Sequence, residues 1–141
     1  MNTLVDTSVW SLALRRRSQD LSVAERSIVA ELAEVIQEGR ARLIGPVRQE
    51  LLSGIRNPAQ YEKLRLMLRA YPDEPIDTTD YESAAKAGNE CRSKGIAVST
   101  IDVLICAVAL ARRWSIFSTD PDFQNYARIL PIKLHAPATG R

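Results

Sequence analysis

Histidine and cysteine are nearly missing from this chain. One histidine and two cysteines in 141 residues leave no way to build a zinc site from those ligands. Cys91 and Cys106 are far apart and outside any CxxC spacing, so both read as reduced thiols of a cytoplasmic protein. Long hydrophobic runs are missing too. The longest, Val103 to Ala111, is far too short to span a bilayer, which excludes a membrane helix. The opening MNTLVDTS is polar within two residues and does not fit a signal peptide. Excess charge of one sign is also lacking. Nineteen Lys and Arg against seventeen Asp and Glu give a net +2, which neither announces a polyanionic partner nor excludes a local basic patch. No repeat, low-complexity tract or linker interrupts the chain.

What is present is ordinary globular material, 45% hydrophobic and 26% charged, enough for a core. The length suits one domain over residues 1–135, with 136–141 as a disordered tail. Leu4-Val5 reads as a short buried strand, and Ser8 to Arg15 as a helix capped by Thr7 or Ser8. Ser22 to Glu38 is a helix with a capping box from Ser22 and Glu25. Leu43-Ile44 is a second strand, followed by a helix with Pro46 at its start. Another helix starts at Asn57-Pro58 and carries Tyr61, Leu64, Leu68 and Tyr71 at helical spacing. A very short strand is expected around Ile76, then a helix from Thr79 to Lys94. Ser99 to Arg113 is apolar on nearly every face and should be buried. A strand at Ser115–Ser118, a short helix from Pro121 and a strand at Ile132–Leu134 complete the order. Short strands alternating with helices imply an α/β fold, a parallel sheet covered on both faces.

Four acids stand out against that frame. Asp6 closes the first apolar run and Asp120 follows a later strand. Glu50 lies in the helix after the second strand, and Asp102 in the first turn of the buried helix. In open parallel sheets, ligands bind beyond the carboxyl ends of the strands. Each acid also has an ordinary structural reading. Asp120-Pro121 is a good helix cap, Ser99 and Asp102 are spaced as a capping box, and a helical glutamate is usually solvated. Glu50, however, has no basic residue three or four places away. If the acids meet, two carboxylates about 5 Å apart at an effective dielectric near 20 repel by about 3 kcal/mol. Such a cleft needs a bound cation, raised pKa values, or both. Oxygen ligands without His or Cys select a hard ion, Mg²⁺ or Mn²⁺.

These residues resemble a known family. LVDTSVW is similar to the first motif of the PIN domain, with Asp6 as its first acid and Thr7 and Ser8 as hydroxyl companions. GPVRQELLSGI places Glu50 at the helical glutamate. STIDVLICAVALARRWSIFSTDPDF matches the segment that carries the third acid, Asp102, and the fourth, Asp120, with Asp122-Phe123 trailing. Within the family the chain resembles VapC-type toxins of bacterial toxin–antitoxin systems. The likeness covers nearly the whole chain. Ser118 stands where threonine is common, and the Arg15-Arg16-Arg17 run falls where the family varies.

The resemblance implies a three-layer α/β/α fold with a short-stranded parallel sheet. It also implies a Mg²⁺-dependent endoribonuclease that arrests translation, a cognate antitoxin, a homodimer, and transfer or ribosomal RNA as target. In this reading Asp6, Asp102 and Asp120 hold the metal and Glu50 positions or deprotonates the attacking water. Thr7, Ser8 and Asp122 support them. Arg15, Arg16, Arg17, Arg112 and Arg113 are candidates for phosphate contacts, although cations also favour helix ends. Alternatives are a non-catalytic RNA- or protein-binding module on this fold and a DNA-directed nuclease. A phosphatase using Asp6 as nucleophile would want an aspartate two residues on, where Ser8 stands.

Overall fold

The strands of this protein are only two or three residues long, so the sheet is held by what packs on it. A computed structural model describes residues 1–136. In chain order the elements are β1 (Thr3–Val5), α1 (Thr7–Leu14), a 3₁₀ turn (Ser18–Asp20), α2 (Val23–Gln37), β2 (Ala41–Arg42), α3 (Gly45–Leu52), α4 (Pro58–Leu68), α5 (Thr78–Ser93), α6 (Thr100–Arg112), β3 (Ser115–Phe117), α7 (Asp122–Ala127) and β4 (Lys133–Leu134). The sheet order is β2-β1-β3-β4. Every pairing is parallel, with Thr3 opposite both Ala41 and Ser115, and Val5 opposite Phe117. This is the α/β architecture expected, a parallel sheet flanked by helices.

The order reverses at β1. The chain leaves β1 on one side to form β2, then returns across it to form β3. The crevice at such a switch point is where open parallel sheets bind ligands. Here it lies beyond Val5 and Phe117.

The core explains why so short a sheet persists. Leu4, Val5, Trp10, Ile105 and Ile116 are at most 1% exposed, each stabilising by roughly 1.5–3 kcal/mol through burial. Helix α6 is buried at every residue from Val103 to Ala109, as its all-round apolar sequence requires, and it packs against β1, β3 and α5. Trp10 donates its indole N–H to the Val5 carbonyl at 3.1 Å, which pins α1 under the end of β1. The Ser22–Glu25 capping box opens α2 as expected.

Three local expectations need correction. The second strand forms at Ala41–Arg42 rather than Leu43–Ile44, because Ile44 already serves as the N-cap of α3. Leu43 makes a single parallel bridge to Asp73. No strand forms around Ile76; that lone bridge is all the ladder there, since Pro72 and Pro75 offer no N–H to extend it. The N-cap position of α1 is held by Asp6, not by Thr7 or Ser8. Of the tail expected to be disordered, residues 137–141 lie outside the described residues.

Candidate functional site

Asp6 and Ser118 follow directly on adjacent, in-register strands, so the sheet itself brings them side by side. The Asp6 N–H continues the ladder to the Phe117 carbonyl at 2.9 Å. Asp6 is 6% exposed. It occupies the N-cap position of α1, yet its carboxylate makes no cap bond. Instead, Oδ2 accepts from the Ser8 hydroxyl and the Ser118 hydroxyl, each at 2.8 Å. Those serines are tied back in turn. Ser8 Oγ accepts from the Thr119 N–H and Ser118 Oγ from the Asp120 N–H, both at 3.0 Å. One carboxylate oxygen is thus fixed by two hydroxyls, and the loop after β3 is locked to the start of α1. Beside it, Thr7 Oγ1 is buried with no hydrogen-bond partner among the described residues.

Asp102 arrives from the opposite direction, in the first turn of α6. Ser99 caps that helix by accepting the Asp102 N–H at 3.1 Å. The reciprocal half of a capping box is not made. The Asp102 carboxylate accepts instead from the Tyr126 hydroxyl at 2.9 Å. Its pKa is raised, first by burial and further by the charges of Asp6 and Asp120, against the lowering effect of the bonds from Tyr126 and Ser99. Burial chiefly, and then the charges of Asp102 and Asp6, push up the thiol of Cys106, one helical turn further along α6.

Asp120 accepts from the Asp122 N–H at 2.9 Å, the turn-forming bond that its Asp-Pro sequence anticipates. That turn also brings Asp122 beside Asp120. One carboxylate oxygen each from Asp102, Asp120 and Asp122 lie within 4.8 Å of one another. Oxygen-only donors at this spacing suit a hard divalent cation, so the residues present fit such an ion. Asp122 belongs to this set on equal terms with Asp120. From sequence Asp120 is favoured over Asp122 as the ligand only because it comes first after the strand, which leaves Asp122 as a support. Tyr126 was missed altogether. The available signal was its position four residues after Asp122, on the same face of α7.

The other candidates are placed differently. Glu50 is exposed in the second half of α3; neither it nor Asp6 belongs to the set within 4.8 Å. Arg15, Arg16 and Arg17 are exposed. Arg16 pairs with Glu25 at 3.1 Å, and Arg17 with Asp20 at 3.3 Å. Together with Arg56 and Lys63 they line a groove of about 670 Å³ that Leu14, Ile55 and Met67 also line. Arg113 is exposed in the left-handed conformation that ends α6.

Arg112 does not suit a phosphate contact. Its guanidinium bonds Glu74 at 2.7 Å, both oxygens of Asp80 at 2.9 Å, and the Pro75 carbonyl at 2.8 Å. Every nitrogen is taken by the segment from Glu74 to Asp80, the connection after α4 and the first turn of α5, so this arginine is a structural clamp. Asp80 is held down at about 2, first by the Arg112 hydrogen bond. The lone histidine is also structural. His135 pairs with buried Glu31 at 2.9 Å and lies against the Phe117 ring, fastening the end of β4 to α2.

The comparisons agree with the fold. The family model described as PIN domain matches residues 3–129. Ribonuclease VapC6 of Mycobacterium tuberculosis is 29% identical over 89 residues, spanning 61% of this chain and 70% of that protein. Among solved structures, FitAcB from Neisseria gonorrhoeae superposes with a TM-score of 0.73 at 20% identity, covering 97% of this chain and 99% of that one. VapBC2 from Rickettsia felis, bound to a DNA fragment from its promoter, gives 0.71 at 16% identity, with 96% and 98% covered. At such identities the structural likeness speaks to fold. Among the described residues no helix is long and apolar enough to cross a membrane. With the family match spanning nearly the whole described chain, the chain belongs to the PIN domain family.

Proposed function

We propose that this chain is the toxin of a toxin–antitoxin pair, a Mg²⁺-dependent endoribonuclease for which Mn²⁺ substitutes. The observation that carries the reading is the convergence of Asp102, Asp120 and Asp122 within 4.8 Å, with Asp6 near enough for its charge to act on Asp102. The curated relative's name, a ribonuclease, supports RNA as the substrate. Solved neighbours, among them a toxin–antitoxin complex from Klebsiella pneumoniae, support an antitoxin partner. Transfer or ribosomal RNA as target, arrest of translation, a homodimer, a single domain over residues 1–135 and a cytoplasmic location belong to the same proposal.

Asp102, Asp120 and Asp122 would hold the cation, with Asp6 adding charge from the adjoining strand. When bound, the cation would supply positive charge for the scissile phosphate and lower the pKa of the attacking water. Asp6, fixed through Oδ2 by Ser8 and Ser118, keeps its other oxygen for the site. Glu50, solvated and without a basic partner on its helix, is assigned to orient or deprotonate water at the open side. Thr7 contributes a hydroxyl beside Asp6, and Arg15, Arg16, Arg17 and Arg113 draw phosphates toward the surface.

The test is cleavage of total RNA, single-stranded DNA and duplex DNA by purified wild type, Asp6→Asn and Asp102→Asn proteins, with Mg²⁺ and with EDTA. Cleavage of RNA alone, lost in EDTA and in both variants, is expected. Undiminished activity in both variants would remove the site assignment, and preferential cutting of DNA would redirect the substrate.

A further inference from the structure

The geometry points to Tyr126 as a positioning residue that orients the Asp102 carboxylate for cation binding. This rests on the metal-dependent reading above and assigns a residue that reading does not use. Tyr126 is 1% exposed. Its ring meets Phe123 edge-on, with centroids 5.2 Å apart and planes at 80°, so the phenol has little freedom to turn. Its hydroxyl donates to Asp102 Oδ2 at 2.9 Å.

Three physical points follow. A phenylalanine would fill this apolar position equally well, whereas a buried hydroxyl without a partner costs free energy. The hydroxyl at this position is therefore explained by the carboxylate it meets. The terminal torsion of an aspartate is broad and soft; holding Oδ2 from a rigid ring fixes the plane of the carboxylate and leaves the other oxygen for a cation. A phenol is also a neutral donor, so it orients the acid without cancelling the charge that a cation requires. This is the outer-shell arrangement by which ligand carboxylates are set in metal sites.

The bond also spans two elements. Asp102 belongs to α6, while Tyr126 belongs to α7, the helix that carries Asp122. Asp122 and Tyr126, four residues apart, share one face. The phenol therefore fixes the separation of Asp102 from Asp122 as well as the orientation of Asp102.

The experiment uses the full chain. Metal-free wild type, Tyr126→Phe, Asp102→Asn and the double variant are titrated with Mn²⁺ by calorimetry and melted in EDTA. Tyr126→Phe should bind Mn²⁺ roughly ten- to a hundredfold more weakly while melting in EDTA within a few degrees of wild type. The double variant should bind no more weakly than Asp102→Asn, because Tyr126 acts through that acid. Tyr126→Phe binding as tightly as wild type, with Asp102→Asn impaired, overturns the inference and leaves the metal reading intact. Equal binding by wild type and Asp102→Asn overturns the metal reading and the inference with it. Should Tyr126→Phe fail to fold, wild type decides the matter. The Tyr126 ζ-carbon resonance should shift on Mg²⁺ addition with the midpoint of metal binding, and an unmoved resonance overturns the inference.

Discussion

Replacing Asp102 with asparagine should make the metal-free protein more stable. Asp102 is half-buried, and its carboxyl is pushed above the ordinary value by burial and by neighbouring acids. An acid whose folded pKa is raised binds its proton more tightly in the native state. Its contribution is neutral below the unfolded pKa, becomes unfavourable as pH rises through the folded value, and is fully unfavourable at neutral pH. The size follows from the geometry. Two unit charges 4.8 Å apart at an effective dielectric near 20 repel by about 3.5 kcal/mol. Each charge is spread over two oxygens, and Asp122 is exposed and screened, so a net gain of about 1–2 kcal/mol is the expectation for Asp102→Asn. Asparagine keeps an oxygen that can accept the Tyr126 hydroxyl, so that bond is retained. For a chain of this length the gain corresponds to a melting temperature about 3–8 °C higher in EDTA at pH 7. The difference should be smaller at pH 4 than at pH 7, because the carboxyl gains its proton as the pH falls through its raised value. It should also narrow or reverse in millimolar Mg²⁺, which stabilises only the protein that binds it. Thermal melting with EDTA or Mg²⁺ at the two pH values reads all of this. A variant that melts below wild type in EDTA at pH 7, or a gain that is the same at pH 4, would refute the electrostatic reasoning.

Other consequences concern groups outside the crevice. Arg112→Met leaves buried Asp80 and half-buried Glu74 without their partner; a loss of about 3 kcal/mol in urea denaturation is expected. The salt dependence of RNA binding should not change, and a reduced slope would return Arg112 to the phosphate contacts. Asp80, held down at about 2 chiefly by the Arg112 hydrogen bond, contributes stability that is full above the ordinary carboxyl range and lost as pH falls from about 4 toward about 2. Denaturation curves at stepped acid pH should show that loss in wild type and not in Arg112→Met. Cys91 and Cys106 are fully buried, and burial first of all pushes Cys106 up to about 12. A thiol reagent at pH 8 should label neither until the protein unfolds, and rapid native labelling would contradict the packing.

Much of the site could be read from residue order because parallel α/β folds place ligands at strand ends. Asp6 after Leu4-Val5, Asp120 after the run ending at Phe117, and Asp102 at the head of an apolar helix all follow from local pattern. The buried course of α6 followed equally directly, since a helix with no polar face has nowhere to go but the core. Strand limits were less legible. Ala41–Arg42 pairs while Ile44 does not, because the helix that follows claims Ile44 as its cap. That competition between neighbouring elements leaves no mark on hydrophobic periodicity.

Local chemistry along the chain therefore determined which acids could serve, the alternation of strands and helices, and the oxygen-only donor set that points to a hard cation. The tertiary structure decided how those acids are grouped. It joined Asp122 to Asp102 and Asp120, set Asp6 on two serine hydroxyls, and left Glu50 exposed outside the tight set. It also took Arg112 out of the phosphate contacts and gave Tyr126 its partner. The physical reason is common to all of these. A side chain's type and spacing show what it can bind, but a hydrogen bond is directional and short, and its partner is chosen only when distant segments dock.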